Sequence, residues 1–405
     1  INRVAVALGG AAAMIIIGAT DADAIFYDHD TGIDWNVIFL LLGMMIIVGV
    51  IHKTGFFEYL AVKAIKRAKG EPKRALVSLI ILTAVASAIL DNVTTILLAV
   101  PMTLIITKHL QVSPIPFILA EVFVSNIGGA ATLVGDPPNI IIASKADISF
   151  NAFLIHMAPL VLLVLAVIIP FLVFFFRREL INSPEARDLV MRLDARQFLK
   201  DLVLLRKSLL VLTLVMIAFV LHAVLHLEPS IVALLGAGVL AAISGLRPKE
   251  YMQDVEWPTL IFFIGLFIMV GALVSVGALG EFAEFLKAIF GDDAQLASMV
   301  IIGISALLSG IVDNIPYVAS MTPVVAELSQ NLVGRQENVL WWSLAFGADF
   351  GGNATIIGAS ANVVAIGLAA RAGYKISFWK FARSGVLVTA ISIAMVYPYI
   401  LLRYF

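Results

Sequence analysis

Apolar residues run along the chain in long blocks, at 4–20, 35–51, 76–108, 115–144, 152–176, 208–226, 230–246, 258–276, 295–330, 339–370 and 385–402. About 20 such residues let an α-helix cross a ~30 Å hydrocarbon core. The blocks 76–108, 295–330 and 339–370 are too long for one straight helix. Block 115–144 is interrupted by Gly128, Gly129, Gly135, Pro137 and Pro138. Bare backbone survives at membrane depth only inside protein or against a wet cavity, so these segments predict re-entrant hairpins and broken helices. The expected fold class is an all-α integral membrane protein.

Composition agrees with that pattern. Of 405 residues, 61% are apolar and 14% charged, with a mean hydropathy of +1.02. A soluble domain carries about 25% charged residues. The absence of cysteine excludes disulfides and thiolate ligands, and a net charge of −1 offers nothing to a nucleic acid. The opening run after Ile1-Asn2-Arg3 carries no cleavage-site pattern and is read as a true span.

Basic residues orient the spans. The connection 52–75 holds seven of them, including Lys63, Lys66, Arg67 and Lys69, and the linker 177–207 holds eight; the connection 21–34 has five aspartates and none. Placing the two basic connections inside, and letting 76–108 and 295–330 return to the side they left, puts 23 of 27 basic residues in the cytoplasm. The N-terminus then lies inside as well. Phe56–Arg67 alternates apolar and basic residues at helical spacing, as a helix along the interface or a plain connector would.

Self-comparison exposes a duplication. Shifted by 222 residues, Trp35 falls on Trp257, Gly43 on Gly265, Gly49 on Gly271, Gly55 on Gly277, Asp91-Asn92 on Asp313-Asn314 and Pro101 on Pro323. Shifted by 223, Gly128-Gly129 meets Gly351-Gly352, Thr132 meets Thr355, Gly135 meets Gly358 and Asn139 meets Asn362. The expected organisation is repeat 1 over 1–176, a linker with one connecting span over 177–226, and an inverted-topology repeat 2 over 227–405. Interrupted segments paired in inverted halves point to a transport site near the bilayer midplane.

Four aspartates fall inside the interrupted blocks: Asp91, Asp136, Asp313 and Asp349. A charge at that depth costs ~2.5–3.5 kcal/mol on insertion scales, which makes each a functional candidate. The competing reading is that Asp91 and Asp313 cap half-helices at the hairpin tips. Asn92, Thr94, Thr95, Asn126, Thr132, Asn139, Asn314, Asn353 and Thr355 supply donors and acceptors for a solute. Gly128, Gly129, Gly351 and Gly352 release the helix and admit close backbone approach, or simply pack small. Glu121, on the same helix as Asn126, is a proton-relay candidate or a cavity-lining group. His156, His222 and His226 fall near span ends and receive no role.

Asp91-Asn92-x-Thr-Thr with Pro101, and Asn126-Ile-Gly-Gly…Gly135-Asp136-Pro137-Pro138-Asn139, resemble the ion-transporter superfamily. Nearly the whole chain is most similar to its branch of arsenite permeases, sodium/proton antiporters and the P protein. The resemblance implies two scaffold and two transport regions, hairpin tips meeting unwound helices, and an elevator motion. Dicarboxylate carriers of the superfamily have Ser-Asn-Thr where this chain has Asp91-Asn92-Val93, which argues against a carboxylate substrate.

The candidate site, read with four aspartates and no lysine or arginine, favours cations or protons exchanged against a neutral solute. The leading expectation is proton-coupled efflux of arsenite or antimonite across the cytoplasmic (inner) membrane. Sodium/proton antiport, dicarboxylate transport and a passive channel are the alternatives. A membrane-embedded aspartyl hydrolase using Asp91 and Asp313 is the remote one, since no Gly-x-Gly-Asp accompanies them. No cofactor or resident metal is expected. Membrane lipid surrounds the chain, and a second copy or an ATPase subunit is the candidate protein partner.

Overall fold

The computed structural model describes residues 3–28, 31–181, 187, 191, 193–291, 293–330 and 337–405. Ile1 and Asn2 of the opening run, Asp30 of the acidic connection, and Arg192 and Arg335 of the charge tally lie outside the described residues.

The described chain is helical throughout. The first half holds α1 (Arg3–Ile16), α2 (Ala22–Tyr27), α3 (Trp35–Lys53), α4 (Phe56–Arg67), α5 (Pro72–Ser87), α6 (Asn92–Leu110), α7 (Ile115–Gly129), α8 (Pro137–Lys145) and α9 (Phe150–Phe175). A 3-10 turn (Ala195–Phe198) leads to α10 (Leu202–Leu225). The second half holds α11 (Pro229–Ser244), α12 (Pro248–Met252), α13 (Trp257–Ser275), α14 (Ala278–Phe290), α15 (Ala294–Ser309), α16 (Asn314–Ser329), α17 (Val339–Gly351), α18 (Ser360–Arg371) and α19 (Phe378–Tyr404). Among the described residues, α3, α6, α9, α10, α13 and α19 are long and apolar enough to cross a membrane.

Each overlong block breaks at its polar residues. Block 76–108 divides before Asp91, which caps α6 by accepting from Thr94 N at 2.8 Å. Block 295–330 divides before Asp313, which caps α16 by accepting from Ile315 N at 3.1 Å. Across the second break, Ser305 Oγ and Tyr317 OH meet at 2.9 Å. Positions six residues either side of the tip therefore touch, as the arms of an antiparallel hairpin must. In the first hairpin the equivalent Thr83 and Thr95 line one small cavity together. Blocks 115–144 and 339–370 divide into α7/α8 and α17/α18, with irregular backbone between.

The halves interlock reciprocally. α1 packs on α13 while α11 packs on α3, and α6 packs on α18 while α16 packs on α8. Such an exchange of equivalent contacts is the mark of a two-fold relation. Glycines permit the closest of them. A Cβ at Gly43 would meet the Ala233 carbonyl carbon at 2.6 Å, and one at its counterpart Gly265 would meet that of Ala7 at 2.8 Å. The fold is thus two inverted repeats of hairpins and broken helices.

Phe56–Arg67 does form an amphipathic helix, burying Ala61, Val62 and Ile65. The turn before α10 lies against it. Lys66 Nζ donates to Leu193 O at 2.7 Å and Lys200 N to Thr54 O at 2.9 Å, so protein covers part of this helix. The second half has a counterpart in α14. Gly55 and Gly277 precede these helices at φ 74 and 80, a left-handed conformation that glycine adopts without strain.

Candidate functional site

Each hairpin tip is strapped to the broken helix of its own half by one set of hydrogen bonds, made twice. Ser87 Oγ donates to Ser125 O at 2.7 Å, and Ser309 Oγ to Ala348 O at 2.6 Å. Thr132 Oγ1 donates to Ala88 O and Thr355 Oγ1 to Gly310 O, both at 2.6 Å. Asn139 Nδ2 holds the carbonyls of Gly129 and Thr132 at 3.2 and 3.1 Å, and Asn362 Nδ2 holds those of Gly352 and Thr355 at 2.8 Å each. Those two amides stitch the unwound backbone, whose carbonyls the helix no longer satisfies. Gly128 and Gly351 let it lie against the hairpin, since a Cβ there would sit 2.8 Å from Ala84 Cα and 2.7 Å from Ala306 Cα.

The tips of the two halves converge on one carboxylate. Asn92 Nδ2 donates to Asp136 Oδ2 at 2.7 Å and Asn314 Nδ2 to the same oxygen at 3.3 Å. Asn92 Nδ2 also reaches Asn126 Oδ1 at 3.3 Å. Asn126 in turn donates across the interface between halves, to Asn353 Oδ1 at 2.9 Å and Asn362 Oδ1 at 3.0 Å. Asn353 Nδ2 closes on Phe123 O at 3.3 Å. Asn126, Asp136, Asn139, Asp349, Asn353 and Asn362 are all fully buried.

The centre is short of donors. Because Asn139 gives its Nδ2 hydrogens to two carbonyls, its Oδ1 points away from them, and Asp349, the counterpart of the Asn126 that meets Asn362 Oδ1, is a neighbouring side chain. Asn139 Oδ1, both carboxylate oxygens of Asp349 and Asp136 Oδ1 have no hydrogen-bond partner. Asp349, Asp313 and Asp91 all lie within electrostatic reach of Asp136. Buried acceptors facing one another without a donor are destabilising, and a proton or a cation between them removes the conflict.

Comparison with known proteins gives the family. The CitMHS family, described as citrate transporter, matches residues 1–347. The chain belongs to the CitMHS family. An uncharacterized transporter of Mycobacterium tuberculosis is 54% identical over 406 residues, covering 100% of this chain and 94% of that one. The 46 kDa membrane protein of Mycobacterium leprae is 50% identical, over 100% of this chain and 94% of its own length. The human P protein is 34% identical over 90% of the chain, which spans 53% of that longer protein. Among solved structures, the Alcanivorax borkumensis YdaH transporter, of unusual topology, superposes with a TM-score of 0.62 at 13% identity, covering 99% of this chain and 97% of that one. This CitMHS family member is therefore a multi-pass membrane transporter and not an enzyme.

The remaining candidates fall in three places in this family member. Asp91 and Asp313 are partly exposed caps at the rim of the centre, Thr94 supplies the backbone N–H that Asp91 accepts, and Thr132 and Thr355 serve as straps. Thr95 and Glu121 face a separate cavity on the outer side of hairpin 1. The expectation of a site without basic residues needs correction. Arg3 of α1 hydrogen-bonds Ser360 and lies 3.7 Å from Asp313 Oδ2, which Ser360 Oγ reaches at 2.5 Å. An arginine beside the first residues of a span is read from sequence as an orientation signal, and only the packing of α1 on α13 brings it here. Asn362 and Ser360 were also missed as site residues, although the offset that pairs Asn362 with Asn139 marks it.

Proposed function

We propose that this transporter exports a neutral, hydroxyl-bearing metalloid, arsenite or antimonite, in exchange for protons across the cytoplasmic membrane, with its N-terminus in the cytoplasm. The observation that supports this reading is the donor-poor centre. Its free atoms, on Asp136, Asn139 and Asp349, are all acceptors. Uncharged As(OH)3 brings three O–H donors and meets them directly. Citrate brings carboxylates, and burying those beside Asp136 and Asp349 disfavours it by several kcal/mol. Without cysteine, the metalloid is held by hydrogen bonds rather than thiolates.

In this reading Asp349 carries the exchanged proton. Protonated, it donates to Asn139 Oδ1 and closes the pair as Asn126 closes on Asn362 at the equivalent position. Losing the proton leaves acceptor against acceptor, and the pair opens to the donors of the solute. Asn92, Asn126, Asn314 and Asn353 hold Asp136 and the frame around it. Sodium/proton antiport is the second reading, because the same acceptors also suit a hard cation.

Melting the purified protein with candidate solutes separates these readings. A solute that binds only the folded state at about 100 times its Kd adds ~2.7 kcal/mol to stability. Arsenite and antimonite are expected to raise the Tm, and citrate to leave it unchanged. A shift with sodium and none with either metalloid selects the antiporter. A shift with citrate alone rejects both.

A further inference from the structure

α7 carries a buried carboxyl that takes no part in the centre. Glu121 is 1% exposed. Its Oε1 accepts from Thr103 Oγ1 at 2.6 Å, while its Oε2 has no partner. It borders a cavity of about 30 Å³, between Phe57 and Ala61 of α4, Thr83 and Ala86 of α5, and Thr95 and Met102 of α6. Thr95 Oγ1, on the same cavity, is also buried without a partner. Two orphaned polar atoms thus border a space large enough for a water, which needs about 10–15 Å³.

The other half builds the same hairpin from different residues. The equivalents of Thr95, Thr103 and Glu121 are Tyr317, Val325 and Leu344. Tyr317 reaches across its hairpin to Ser305, so a phenol ties the two arms together there. An unpartnered carboxyl and hydroxyl beside a cavity in one copy, where the other has a leucine and a hydrogen-bonded tyrosine, is what a ligand site confined to one repeat leaves behind.

We propose that Glu121, Thr95 and one bound water form a proton site of their own, apart from the Asp136–Asp349 centre, which sets how hairpin 1 packs on α4. A metal cation is the poorer occupant, since one carboxylate and two hydroxyls amid apolar side chains fall short of the six or more oxygens a hard ion gathers. The residues facing the cavity from α4, α5 and α6 carry no ionisable group. His156 of α9, Asp349 of α17, Arg371 of α18 and Arg383 of α19 sit on helices packed against other faces of α7, and Thr103 is the polar side chain acting on Glu121. When Glu121 is charged, further water must enter and part α4 from the hairpin; when it is neutral, the one bound water satisfies it and the hairpin stays closed.

The inference rests on the proton-coupled reading and is tested separately from it. Full-length protein in proteoliposomes is assayed for gradient-driven arsenite and sodium transport across about pH 6–8, alongside melting shifts with each solute. Glu121→Gln keeps the size and the Thr103 contact, and is expected to flatten the pH profile while preserving the solute-induced melting shift. The double variant T95Y/E121L, which imports the other half's residues, is expected to show the same flat profile. A wild-type pH profile in Glu121→Gln, with coupling still lost in Asp349→Asn, overturns the proton site and leaves the proposed function standing. Loss of the melting shift in Glu121→Gln also overturns it, because Glu121 would then support the centre rather than act apart from it.

Discussion

Asn126 in the first half stands where the second has Asp349, Asp136 where it has Ala359, Ala130 where it has Asn353, and Glu121 where it has Leu344. Around those positions the straps recur almost atom for atom: Ser87 and Ser309, Thr132 and Thr355, Asn139 and Asn362 bind the same backbone carbonyls. Positions that touch backbone within one half tolerate little change, so they persist in both copies. Positions that face the other half must complement it, and two equal sets of groups across a two-fold axis would set acceptor against acceptor. Unequal residues let Asn126 donate to Asn362, and leave Asp349, Asn139 and Asp136 Oδ1 without a donor at the centre.

The largest effect is expected where the halves are most alike. Gly351→Leu drives a side chain into the Ala306 backbone, and Gly128→Leu does the same at Ala84. Each is expected to cost at least the ~1–3 kcal/mol of ordinary overpacking and to yield no monodisperse protein on size-exclusion chromatography. Gly238→Ala, with open space at its Cβ, is expected to be neutral or to stabilise by up to ~1 kcal/mol. A folded Gly351→Leu would break the claim that the straps demand backbone contact.

A smaller effect separates the paired amides. Asn139→Leu and Asn362→Leu each strand two carbonyls, at about 1–3 kcal/mol per unsatisfied group. Asn362→Leu also removes one of the two acceptors of Asn126, whereas Asn139→Leu removes an acceptor that no donor reaches. Thermal melts should therefore show Asn362→Leu as the less stable variant. Equal melting temperatures would mean that Asp349 has already found a donor.

The smallest effect belongs to an ion pair between the halves whose lysine is a serine in the other copy. Lys53 Nζ lies 2.6 Å from Asp254 Oδ2, while its counterpart Ser275 bonds Gly271 O. Both charged side chains are partly exposed, so Lys53→Ala is expected to cost under ~1 kcal/mol, less at high salt, in a melt at two ionic strengths.

Much of the scaffold could be read from the sequence, because hydrophobic blocks of span length and a 222-residue offset are local or periodic signals. The breaks at Asp91, Asp313 and the glycine pairs followed from residues that cannot sit bare in hydrocarbon. The distribution of roles was less legible. Asp91 and Asp136 look alike in sequence, and folding makes one a rim cap and the other the acceptor for two hairpin tips. Thr95 and Glu121 sit beside site residues along the chain, yet helical geometry turns them toward a different cavity. Arg3 joins Asp313 through a contact 310 positions away along the chain, which no spacing rule anticipates.

The central claim is that Asp349 carries the exchanged proton, and Asp349→Asn tests it most directly. The amide supplies the donor that Asn139 Oδ1 lacks, so the variant should fold with a Tm equal to or above the wild type. Proton movement driven by a solute gradient, followed with a pH-sensitive dye inside proteoliposomes, should fall by at least about 100-fold, the scale on which a lost proton-transfer group is felt. Undiminished solute-driven proton movement in folded Asp349→Asn would contradict the account.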